Sequence, residues 1–211
     1  KYTARFHEAG IKVAHVVSSS KFAKKCEEAG VDAIVAEGFE AGGHNGREEL
    51  TTMVLIPQVC EVTTLPIIAA GGIASGKAIV AAQALGAEGV QIGTLFAASE
   101  ESSASEAFKE YCIKLGEEDT MLALKKISPS RLAKNALYNK IKEAEDNGAD
   151  ATTLKNILGD KSTKRGIFEG DIENGEIEIG QAVTAIKQIQ PVKDIISNLI
   201  SDYNATLLRM R

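Results

Sequence analysis

Short, continuously apolar runs recur through the first hundred residues, each followed by a loop marked with glycine or serine and then by a stretch of helical spacing. KVAHVV (12–17) leads into SSS and KFAKKCEEAG, and DAIVAE (32–37) into a glycine-rich loop and LTTMVLIPQVCEV. LPIIAA (65–70) leads into GGIASG and KAIVAAQALG, and GVQIG (89–93) into TLFAASEESSAS. Apolar strands of this length alternating with helices predict βα units on a parallel sheet covered on both faces. Gly30 in EAGVDA and Gly86 in ALGAEG stand where a helix prefers its C-terminal glycine. Four such units make half of an eight-unit barrel or a small open α/β sheet, and the pattern accommodates both.

The grammar changes after about Ser105. FKEYCIKLGEEDT, RLAKNALYNKIKEAEDNGAD and TTLKNILGD wrap charges around apolar stripes and predict helices. GDIENGEIEIG (170–180) sets an Asn-Gly turn signal between short alternating runs, and residues 191–208 predict a long amphipathic helix. The expected organisation is an α/β part over residues 1–104 and a mostly helical appendage over 105–211 that packs on it. No low-complexity linker separates the two.

Composition narrows the class. At 211 residues and 44% apolar, the chain can bury a real core, as one domain with an appendage. A net charge of −5 without a basic stripe argues against nucleic-acid binding. No apolar run approaches the roughly 18–20 residues that a membrane span needs, and KYTARFHEAG has no apolar stretch like that of a secretory signal. Cys26, Cys60 and Cys112 are isolated, which suits reduced thiols of a cytoplasmic protein better than a disulfide framework or a zinc site. Tyr2, Phe6 and Ala9 have near-helical spacing before Gly10, and no Met precedes them, so the chain reads as opening inside an amphipathic helix.

Candidate chemistry lies at the strand ends. In AEGFEAGGHNG (36–46), Gly42 and Gly43 let the backbone approach a ligand, and His44 offers a group able to gain or lose a proton near neutral pH. Gly71-Gly72 follows LPIIAA, and Gly93-Thr94 follows GVQI one unit later. Backbone N–H groups at successive strand ends form an anion site, as the last loops of (β/α)8 barrels do for phosphate. All three loops open on one face. His7 is expected on a solvated helix surface and His15 at a core edge. Glu40, His44, Glu48 and Glu49 do not suggest a metal, because Gly42-Gly43 interrupts the helix such a ligand pair would need.

Together AEGFEAGGHNG, PIIAAGGIASG and AEGVQIGTLF resemble the FMN-dependent nitronate monooxygenases, formerly 2-nitropropane dioxygenases. The flavin-dependent enoyl-acyl carrier protein reductases of type II share these motifs, and SPSRLAKN (128–135) and GDIENGEIEIGQA extend the resemblance along the chain. The resemblance implies an α/β fold that is the C-terminal half of an FMN-binding (β/α)8 barrel, four βα units plus a helical appendage. It implies that Gly71, Gly72, Gln91, Ile92, Gly93 and Thr94 cradle the flavin phosphate. Glu37, Gly42 and Gly43 would then lie along the flavin, Gln181 near it, and His44 would be the catalytic base. Glutamine is common in the monooxygenases where this chain has Glu37, whereas the reductases read AEG, as here. The resemblance also implies about a hundred further residues before this point, and a half-barrel exposes edges that would otherwise favour pairing with a second copy. Three activities stay open: oxidation of alkyl nitronates with O2, reduction of an enoyl thioester with NAD(P)H as co-substrate, or an inactive or truncated FMN- or phosphate-binding scaffold.

Overall fold

The computed structural model describes residues 2–210. Helix α1 (Thr3–Glu8) precedes β1 (Ala14–Val17), α2 (Ser20–Glu28) and β2 (Ala33–Glu37). A two-residue strand, β3 (Gly43–His44), then α3 (Thr52–Cys60), β4 (Ile67–Ala70), α4 (Gly76–Ala84), β5 (Gly89–Gln91) and the single turn α5 (Thr94–Ala97) complete the first half. The second half holds α6 (Glu106–Lys114), β6 (Thr120–Ala123), β7 (Ser130–Ala133), α7 (Ala136–Asp146), α8 (Ala151–Leu158) and α9 (Val192–Met210).

The apolar runs form a four-stranded sheet in the order β1-β2-β4-β5, parallel throughout. One row across it reads Val17, Ala36, Ala69, Val90. Ile34 and Ala36 of β2 are fully buried against Leu55, Ile56 and Val59 of α3, as expected for strands covered by helices. Serines start the helices: Ser19 Oγ accepts from Phe22 N–H at 3.5 Å, and Ser75 Oγ from Ala78 N–H at 3.1 Å.

The second half is less purely helical than its charge pattern predicts. Residues 130–133 are a strand, not the start of a helix. Asn135 divides strand from helix: its Oδ1 accepts from Tyr138 N–H at 2.9 Å and caps α7. Its Nδ2 donates to the carbonyls of Ile172 and Gly175 at 2.6 and 2.8 Å. The Asn174-Gly175 turn forms, with Asn174 N–H donating to Asp171 Oδ1 at 2.9 Å, but it does not fold the alternating run into a hairpin. The run instead passes along β7, where Ala133 N–H donates to the Ile177 carbonyl at 2.8 Å and Leu132 bridges Glu178. A second, antiparallel sheet results, in the order β3-β7-β6.

The helix expected straight after β5 is only the turn α5, and the helical layer beside α4 is filled by α9. Lys77 N–H donates to Asp202 Oδ2 at 3.1 Å, and Tyr203 Oη lies 2.9 Å from Gln83 Oε1. The backbones approach so closely that a Cβ on Gly76 would stand 2.0 Å from the Tyr203 nitrogen. Gly76→Ala is therefore expected to cost about 1–3 kcal/mol of stability, read as a lower urea midpoint at unchanged slope. An unmoved midpoint would mean that α9 does not sit on α4 in solution.

Candidate active site

The ends of β2, β4 and β5 open on one cavity of about 250 Å³. Glu37 from β2, Gly71 and Gly72 after β4, and Gln91, Gly93 and Thr94 at the end of β5 all line it, with Gly42 from the loop after β2. The second half closes the far wall with Ile167, Glu178, Ile179 and Ala182. Gly71 and Gly72 have φ of +94° and +69°, a conformation in which a side chain is strained. Among the described residues, no group accepts a hydrogen bond from the backbone N–H of Gly72, Gly93 or Thr94. No lysine or arginine lines the cavity, and these N–H groups are donors that it could offer an anion. They fit the phosphate end of a flavin mononucleotide, and the mixed polar and apolar wall fits the remainder.

The other expected site residues lie outside this lining. Ile92 turns to the opposite face of the sheet, among Ile79, Val90 and Phe96, so its side chain serves the helical layer. Gln181 lines a neighbouring depression that shares Gly72 and Ala182 with the cavity. Gly43 is buried at φ +74° beneath the Glu178 carboxylate, and His44 stands beyond it with 72% of its side chain exposed. His15 is exposed, its Nδ1 2.8 Å from the Val16 carbonyl, and His7 Nε2 lies 2.7 Å from Asp32 Oδ2. Among the described residues, no cluster of three His, Cys, Asp or Glu side chains could hold a metal ion.

The loop carrying Gly42 and His44 is held from several sides. Arg131, buried in β7, donates from Nε and Nη2 to the Phe39 carbonyl at 3.1 and 2.9 Å and stacks on the Phe39 ring. Burial pulls the Arg131 pKa down, while the Glu40 and Glu49 carboxylates push it back up. The Glu40 carboxylate accepts from Thr52 N–H at 3.0 Å, capping α3 in place of Thr51. Asn45 donates to the carbonyls of Ala41 and Gly43, and its own N–H donates to the Pro129 carbonyl at 2.8 Å. Gly180 N–H donates to Thr94 Oγ1 at 3.1 Å and Gln181 N–H to the Glu40 carbonyl at 2.9 Å, which join the far wall to both loops.

Two carboxyls face the cavity. Burial raises the Glu37 pKa, so Glu37 holds a proton more readily than a free glutamate and repels an anion less. Burial also raises the Glu178 pKa, the Glu176 charge raises it further, and His44 pulls it back. Sequence reasoning missed Glu178. The alternation in GEIEIG could have found it, because an extended run there sets Ile177 and Ile179 in the core and turns Glu178 the other way.

Residues 1–202 match the nitronate monooxygenase family. The chain belongs to that family. Members are flavin-dependent oxidoreductases, and the four-stranded sheet is part of the barrel seen in the solved neighbours. The chain is 36% identical over 210 residues to a probable nitronate monooxygenase of Staphylococcus aureus (strain MSSA476), an overlap of 95% of this chain and 58% of that protein. It superimposes on FabK from Thermotoga maritima with a TM-score of 0.93 at 40% identity, over 100% of this chain and 66% of that one. For a nitroalkane oxidase from Streptomyces ansochromogenes the TM-score is 0.83 at 26% identity, over 99% and 62%. The chain thus spans 58–66% of the length of these relatives.

Arg131→Met leaves the Phe39 carbonyl without its charged donor, an effect of about 1.5–3 kcal/mol. The Asn45 amide is expected to exchange its hydrogen faster in this variant, while amides of β2 and β4 keep their protection. Uniform loss of protection across β2 and β4 would show that Arg131 supports the whole fold and not this loop.

Proposed function

We propose that this chain forms the phosphate-binding and proton-transfer side of an FMN-dependent oxidoreductase acting on alkyl nitronates. The observation that carries the reading is the convergence of the free N–H groups of Gly72, Gly93 and Thr94 with the His44 loop at one set of strand ends. In this reading residues 1–104 supply the strand ends, and residues 105–211 supply the wall through Glu178 and Ile179. Gly72, Gly93 and Thr94 receive the phosphate, and Glu37, Gly42 and Gln91 border the rest of the cofactor. Bound FMN supplies electron exchange between substrate and O2, or hydride relay from NAD(P)H in the alternative below. His44 takes the α-proton of a neutral nitroalkane: the C–H bond breaks, an N–H bond forms on the imidazole, and the electron pair stays on the nitronate.

A second reading is reduction of an enoyl thioester with NAD(P)H. It is favoured by Glu37, and by the likeness to FabK, an enoyl-acyl carrier protein reductase of type II. His44 would then deliver the proton to the reduced substrate.

His44→Ala separates binding from proton transfer. In the FMN-loaded protein, turnover of neutral nitroalkane is expected to fall about 100-fold or more. FMN affinity, read by quenching of flavin fluorescence, should not change, because His44 lies outside the cavity lining. Unchanged turnover would remove His44 from the reaction.

A further inference from the structure

One edge of β7 carries two groups in succession. Ser130 and Arg131 pair with His44 and Gly43 of β3, and the next residue, Leu132, bridges Glu178. His44 Nδ1 thereby comes 3.5 Å from Glu178 Oε1. The two side chains meet with very different freedom, since 20% of the Glu178 side chain is exposed against 72% of His44. Ile177 and Ile179, both in the core, fix the backbone on either side of Glu178. Gly43 gives the carboxylate its path, because a Cβ there would stand 3.3 Å from Glu178 Cδ.

We propose, building on the reading of His44 as the base, that Glu178 is its positioning residue: it receives Nδ1–H and leaves Nε2 free to take the substrate proton. A half-buried, backbone-fixed carboxyl next to an exposed imidazole can select both the ring's orientation and its tautomer. At 3.5 Å the two groups are within ion-pair reach without forming a hydrogen bond, and proton-transfer contacts are commonly long or poorly aligned before substrate binds. Arg131 does not compete for Glu178, because its guanidinium is turned to the Phe39 carbonyl. The other charged groups facing the pair are carboxyls, Glu176 beside Glu178 and Glu37 in the same cavity.

The test is Glu178→Gln, which keeps the shape and removes the charge. In the free protein, the nitrogen-15 spectrum of the His44 ring is expected to show mainly Nδ1–H in the parent and a shift toward Nε2–H in the variant. In the FMN-loaded protein, kcat for neutral nitroalkane should fall roughly 10-fold with little change in KM. Glu178→Asp, which restores the carboxylate, should recover part of the Nδ1–H signal and part of kcat. An unchanged tautomer in Glu178→Gln overturns the proposal, and so does a changed tautomer with an unmoved kcat. If His44→Ala retains full turnover, the reading of His44 as base has failed, whereas the ring spectrum still reports separately whether Glu178 holds the imidazole.

Discussion

The site depends on a buried guanidinium. Arg131 lies in the interior of the second half and spends two of its donors on one carbonyl, that of Phe39. A buried charge is costly unless it is well solvated by its surroundings. Here the carbonyl, the Phe39 ring and the nearby Glu40 and Glu49 carboxylates do the solvating. The same contacts hold the loop after β2 against β7. With the Glu40 and Asn45 contacts, they oppose the backbone entropy of a loop that contains Gly38, Gly42, Gly43 and Gly46. Its tether turns a flexible connection into a support for His44.

The second half therefore does more than cover the sheet. It contributes β7, which organises the loop, and the extended run 176–179, which supplies Glu178 and the cavity's far wall. It also returns the chain to the first half, where α9 takes the place beside α4. The division of labour is chemical. Parallel strand ends offer backbone N–H groups suited to an anion, while the antiparallel sheet offers side chains suited to a proton.

The parallel strands were legible because their apolar runs are continuous, although only β2 and β4 are largely buried and β1 is mostly exposed, and Ser19 and Ser75 announced their helices. Gly71 and Gly72 take positive φ at a strand end, whereas Gly42, read from sequence as room for a ligand, makes room for the backbone of Ile179 and Gly180. Strand β7 was hidden because Arg131 and Lys134 around Leu132 and Ala133 imitate a helical stripe, although Asn135 was a readable cap. Strand β3 has two residues and no periodicity to read. Ile92 was assigned to the cofactor by motif, although alternation from Gln91 turns its side chain to the helical layer. Glu178 is separated from His44 by 134 positions, and only the pairing of both with β7 brings them together.

The most direct measurement is to add a nitronate and, separately, NADPH to the FMN-loaded protein without oxygen, and to follow the flavin's visible absorbance. The account predicts rapid bleaching by the nitronate and none by NADPH. Rapid bleaching by NADPH, with the nitronate inert, would contradict it and assign the site to enoyl reduction.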